Sequence, residues 1–286
     1  PCPRLERTVL TEDDKSVTFT DSWGIKRRDL KGRESMSEFI EFPVKDRKDW
    51  ERFKEELLDP HHPERLSGDW RSRCEEWTRK GYPIQLGYYP DVGIFGSVRW
   101  LLGDEEGLVA FYTMPDLVHD IMDHMTTLYL TVFEQVVKEV RVDVIHIWED
   151  MCAQLGPLIS PAHWIEFMGA PYRRIAAFAR ENNIPLISVD TDGDPDLIIP
   201  CMMDAGVNFV FPFEVAAGCD VVALREKYPT LGMMGGIDKR VLAVSPEAID
   251  RELARISPII EKERYIPTLD HLIPDDVPLE NYYYYA

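Results

Sequence analysis

The chain has 286 residues, 45% hydrophobic and 29% charged, with a formal net charge of −19. This is an ordinary globular composition with enough length to bury a core without disulfide staples, and its acidic balance excludes nucleic acid and anionic membrane as main partners, since both need a basic face. The five cysteines (Cys2, Cys74, Cys152, Cys201 and Cys219) make no CxxC pair, which argues against a disulfide framework or zinc ribbon and fits reduced thiols in the cytoplasm.

In chain order, residues 1–48 read as a β-rich segment. A hairpin is expected from Arg7–Thr11 and Ser16–Thr20 around the acidic turn Glu12-Asp-Asp-Lys15. Residues 46–58 form an amphipathic helix with Trp50, Phe53 and Leu57 on one face, and residues 69–80 a second helix stopped at Gly81-Tyr-Pro83. A βα period follows. Strands are expected at 84–89, 142–148, 184–189, 207–213, 230–235 and 264–269. Helices are expected around 94–103, from Pro115 to about 140, and at 161–181, 195–205, 219–227 and 246–262. Strands alternating with helices predict parallel pairing. One (β/α)8 barrel domain over 1–286 needs two further strands. One is expected before Pro1, where the chain opens without an initiator Met, and one in an irregular segment. A doubly wound open sheet is the alternative. The run Tyr282–Tyr285 is either a packed strand or an interface patch. No stretch has the length of a membrane span, and no signal peptide is visible.

Five apolar runs end in charge: Val144–Trp148 in Glu149-Asp150, Leu186–Val189 in Asp190-Thr-Asp192-Gly193, Val207–Phe213 in Glu214, Leu231–Ile237 in Asp238, and Tyr265–Leu269 in Asp270-His271. Function in parallel barrels sits at the C-terminal strand ends, so these groups are expected to face one mouth. At Glu149-Asp150 the side chains alternate, so one carboxylate can enter the mouth while the other supports it; the plainer reading is a helix-capping loop acid. Asp190 and Asp192, two apart, are expected to share a face and aim at one cation or substrate. Paired carboxylates raise each other's pKa unless a cation sits between them. The plainer reading is an Asp-rich turn capping the next helix.

His271 at a strand tip can serve as metal ligand or general acid/base. His61, His62, His119, His124 and His163 read as surface or packing groups and His146 as a core group. The Gly235-Gly236 strand end lets a ligand or backbone approach closely, and Gly87-Tyr88-Tyr89-Pro90 reads as an aromatic lip. The chain carries no P-loop, GxGxxG, GxSxG or HExxH motif.

Gly235-Gly236-Ile237-Asp238 and Asp270-His271-Leu-Ile-Pro274…Glu280-Asn281 resemble segments of the uroporphyrinogen decarboxylase superfamily, which holds decarboxylases and corrinoid-linked methyltransferases. The resemblance implies a (β/α)8 barrel and two candidate activities. As a methyltransferase, the chain would pass a methyl group from a small methylated substrate to a corrinoid protein. The positions matching the zinc ligands of those relatives are Asp190, Asp192 and His271, with Glu214 added to the set. Oxygen and nitrogen thus replace two thiolates, and zinc or a harder divalent metal is expected. His271, Asp238 and Glu149 are the candidate catalytic residues, and Tyr88, Asp150 and Gly236 the substrate-binding ones. The alternative is a metal-independent decarboxylase acting on uroporphyrinogen or another carboxylate. A cytoplasmic protein, with a homodimer allowed, is expected.

Overall fold

The computed structural model describes residues 1–32, 36–66 and 68–286. Residues 33–35 of the β-rich opening segment lie outside the described residues. The chain folds as two compact units, residues 1–86 with 91–142, and residues 87–90 with 143–286.

The first unit opens with an antiparallel sheet of β1 (Thr8–Glu12), β2 (Ser16–Thr20), β3 (Lys26–Leu30) and β4 (Glu38–Glu41) in that order. The β1–β2 turn is set by Asp13, whose Oδ1 accepts the backbone N–H groups of Lys15 and Ser16 at 2.8 and 2.7 Å; such side-chain-to-backbone bonds are why Asp favours turns. Helix α1 (Arg47–Leu57) starts at the Asp46 N-cap and buries Trp50, Phe53 and Leu57, the face expected from the sequence. Helix α2 (Trp70–Arg79) follows, then a two-residue strand β5 (Gln85–Leu86). The expected strand 84–89 is cut to that length because Gly87 turns the chain with φ of 89°. Helices α3 (Phe95–Leu102), α4 (Asp104–Thr113) and α5 (Pro115–Val137) complete the unit, with Pro115 at the start of α5 as expected. Trp50 Nε1 donates to Asp120 Oδ2 at 2.9 Å and so ties α1 to α5.

In the second unit β6 (Val144–Trp148) is followed by a small antiparallel pair, β7 (Cys152–Ala153) and β8 (Gly156–Pro157). A helical segment runs from α6 (Pro161–His163), capped by Ser160, through a π-helical turn at Trp164–Met168 into α7 (Gly169–Glu181). Then come β9 (Leu186–Asp190), α8 (Ile199–Asp204), β10 (Phe209–Phe213), α9 (Val221–Lys227), β11 (Gly232–Ile237), α10 (Pro246–Ile260), β12 (Tyr265–Leu269) and α11 (Leu279–Tyr285). The β7–β8 pair, too short to carry an alternation, escaped the sequence reading. The tyrosine run, expected as a strand or patch, is helical and belongs to α11.

Strands β12, β11, β10, β9 and β6 pair in that order, each pair parallel. This is an α/β arrangement, as the alternation predicts. Within this unit the strands make an open row rather than a closed ring.

The two faces of the row differ. One carries Ile145, Ile147, Ile187, Val189, Val210 and Met233, none more than 5% exposed. Burying each such side chain contributes on the order of 1.5–3 kcal/mol. Side chains alternate along a strand, so His146, Trp148, Ser188, Asp190 and Phe211 share the other face. Register places His146 opposite Ser188, and Trp148 and Phe211 on either side of Asp190. Of its polar groups, His146 and Ser188 lie mid-strand and Asp190 ends β9.

Candidate active site at the strand ends

Three side chains from three strand ends converge. Asp192 lies two residues past β9, Glu214 one past β10 and His271 two past β12. Each offers a donor atom within 4.8 Å of the other two, and His271 Nε2 lies 3.4 Å from Asp192 Oδ2.

The loops that carry them are fixed by backbone. Glu214 Oε2 accepts the Gly193 N–H at 2.9 Å. Gly193 has φ of 77°, and a Cβ there would lie 2.5 Å from the carbonyl oxygen of Ala153, so no other residue fits without a shift. Asp270, fully buried, accepts the N–H of Val215 at 2.9 Å and of Lys239 at 3.0 Å. One carboxylate thereby pins the loops after β10 and β11 to the end of β12. Burial pushes the Asp270 carboxyl above its usual value, partly offset by those two N–H groups.

Lys239, which the sequence reading passed over, is the cation of the site. Its Nζ lies 3.3 Å from Glu214 Oε1, and both side chains are largely covered. The available signal was its place directly after the Asp238 strand end.

The remaining candidates divide. Asp190 is not one of the three converging donors, although the sequence predicted that it would ligate beside Asp192. Strand β9 ends at Asp190 and the chain then turns, so the two carboxylates do not continue one strand face. Asp190 instead stays on the His146 face of the sheet, with Oδ2 3.8 Å from His146 Nε2. Burial, with the charges of Asp192 and Asp150, raises Asp190 to about 7. Burial lowers His146 to about 4. The distance is within ion-pair range, yet these shifts leave both groups neutral between those values, so the pair is a protonated acid beside a neutral imidazole. The Asp192 carboxyl is also raised by burial and by Asp150 and Glu214, with His271 opposing.

Glu149 and Asp150 stand in different surroundings. Glu149 is wholly buried and accepts the Tyr172 hydroxyl of α7 at 2.5 Å. Asp150 is the member that affects Asp190 and Asp192, held in left-handed backbone at φ of 43°. Asp238 caps the turn after β11 and is paired with Arg240 at 2.8 Å. Burial alone would raise its carboxyl, but the Arg240 guanidinium and N–H hold it below the usual range. Gly236 has a packing reason, since a Cβ there would lie 2.3 Å from Val221 Cγ1. In the lip, Tyr88 is 71% exposed, while Tyr89 sets its ring edge-on to Trp148 at 4.9 Å. Cys152 and Cys219 are pushed up to about 12 by burial and stay as inert thiols at neutral pH.

A parallel sheet with helices between its strands, and polar groups past the strand ends, defines an α/β protein. The sequence comparison sharpens this. Residues 103–285 match the family described as uroporphyrinogen decarboxylase (URO-D), and the chain belongs to that family. A solved methyltransferase from Methanosarcina mazei is similar in structure, with a TM-score of 0.58 over 92% of this chain and 74% of that one. At 17% identity this likeness shows the fold alone. No curated protein sequence matches the chain significantly. Among the described residues, no helix is long and apolar enough to cross a membrane.

Proposed function

We propose that this chain is a metal-assisted methyltransferase of the uroporphyrinogen decarboxylase family. It would move a methyl group from a small methylated substrate to a corrinoid carried by a partner protein. The observation that carries this reading is the convergence of Asp192, Glu214 and His271. Two carboxylates and an imidazole suit zinc or a harder divalent ion. Asp192 is paired with His271 at 3.4 Å and Glu214 with Lys239 at 3.3 Å, so a bound ion would take the place of these contacts at the carboxylates. Asp192, Glu214 and His271 would hold the ion, and a bound ion supplies Lewis acidity toward the leaving group. We further propose that the parallel row completes a (β/α)8 barrel, as the family resemblance implies.

The residues around the trio have separable tasks. Asp190, raised to about 7, is divided between acid and carboxylate at neutral pH, and its protonated form would release a proton to the leaving heteroatom as the methyl group departs. Such matching of pKa to working pH is what general acid catalysis needs. Asp150 helps keep that proton on Asp190. Asp270 positions the Glu214 and Lys239 loops. The reduced corrinoid supplies the methyl-accepting chemistry.

A second reading, decarboxylation of a carboxylate substrate without metal, is supported by Lys239. A lysine at the strand ends could hold a substrate carboxylate, with Asp190 supplying the replacing proton. The test is anaerobic incubation of the purified chain with free cob(I)alamin and a panel of O-methyl and N-methyl donors, with and without added zinc. The first reading expects methyl transfer that depends on the ion. Transfer that is absent under both conditions, together with metal-independent release of carbon dioxide from a carboxylate panel, would replace it with the second.

A further inference from the structure

The first unit holds another trio of donor side chains, far along the chain from the strand-end residues. Cys2 Sγ lies 3.1 Å from His62 Nδ1, and Glu64 brings a carboxylate oxygen within 4.8 Å of both. Cys2 is 7% exposed, and its N–H is fastened to the Leu57 carbonyl at the end of α1 at 2.7 Å. His62 Nδ1 also receives the Glu64 N–H at 3.3 Å. That nitrogen is therefore an acceptor with its proton on Nε2, and an ion bound through Nδ1 would replace the Glu64 N–H as its partner.

Beside the trio is a cavity of about 550 Å³ to which both Cys2 and Glu64 contribute. Its walls include Trp23, Met125, Leu128, Tyr129, Val132 and Phe133. Charged groups, Arg4, Glu64, Arg65 and Asp91, share the lining with these apolar side chains, so the cavity suits a small polar molecule.

We infer that Cys2, His62 and Glu64 form a second metal site that takes a zinc-class divalent ion and leaves one coordination position toward this cavity. Thiolate, imidazole and carboxylate are the donors zinc accepts, and three protein ligands with an open position is the catalytic rather than the structural pattern. In a tetrahedral site the sulfur and nitrogen donors stand about 3.5 Å apart. The observed 3.1 Å needs only a few tenths of an ångström of opening. Binding removes the Cys2 thiol proton, so one proton leaves per ion, and thiolate plus carboxylate cancel the ion's charge.

The test is titration of the intact protein with Co²⁺, followed by absorption. The strand-end trio has no sulfur, so a thiolate-to-cobalt charge-transfer band reports Cys2 and not that site. The expected result is a band that saturates at one equivalent and is displaced by Zn²⁺. It should be lost in Cys2→Ser, need at least tenfold more Co²⁺ in His62→Ala, and persist in Asp192→Asn. Circular dichroism confirms that the variants fold. Absence of the band in the unmodified protein, or its persistence in folded Cys2→Ser, would overturn the inference.

Discussion

His271 Nε2 stands 3.4 Å from Asp192 Oδ2, although the two residues follow strands β12 and β9, which are separated in the sheet by β11 and β10. Both residues lie two positions past their strands, so the contact is made by the loops at the strand ends. Asp270 and Glu214 fix those loops through three backbone N–H groups.

Asp270→Ala is therefore expected to act on both fold and site. It leaves the N–H groups of Val215 and Lys239 without their acceptor, a loss of about 1–3 kcal/mol for buried groups. Chemical denaturation measures the loss, and metal titration of the folded variant should show weakened binding at the strand-end site.

Asp190→Asn should stabilise the protein in a pH-dependent way. Asp190 sits near 7 in the folded chain against about 3.9 when unfolded. The folded state thus keeps the proton longer, and the native acid's contribution is complete below pH 4 and lost as pH rises to 7. That loss is on the order of 4 kcal/mol at most. The amide carries no such charge, so the variant should gain on the native protein between pH 4 and 7 and hold that gain at pH 8. Denaturation curves at pH 4.5 and pH 8 check it. The same variant should lose turnover at every pH if Asp190 supplies the proton.

Tyr172→Phe tests the buried role of Glu149. Removing the 2.5 Å hydrogen bond from a fully covered carboxyl should cost about 1–3 kcal/mol of stability. Substrate KM should be unchanged. A large change in KM with unaltered stability would return Glu149 to the site.

The secondary-structure alternation, the parallel strands and the charged ends were legible from period and chain order, because buried strands and amphipathic helices leave strong apolar patterns. The site was only half legible. Asp192, Glu214 and His271 could be picked as strand-end groups, but Asp190 was grouped with Asp192 because local spacing does not reveal where a strand stops. Glu149 and Asp150 could not be ordered, since which of two adjacent carboxylates is buried depends on the packing of Tyr172 from α7. Lys239 and the bridging by Asp270 depend on contacts between loops after β10, β11 and β12, which no short window of sequence contains.

Lys239→Met separates the two functional readings. Without the cation 3.3 Å from Glu214, the trio becomes more anionic, and a divalent ion should bind equally well or better. A carboxylate substrate would instead lose its partner, and decarboxylation should fall by tenfold or more.

The most direct test of the strand-end site compares Cys2→Ser protein, which removes the other donor trio, with the same protein also carrying Asp192→Asn and His271→Ala. Zinc content and methyl transfer to free cob(I)alamin are measured on both. The expected result is one zinc per chain and active transfer in the first, with both lost in the second. Equal zinc content in the two proteins, or transfer that survives the loss of Asp192 and His271, would contradict a metal-assisted methyltransferase.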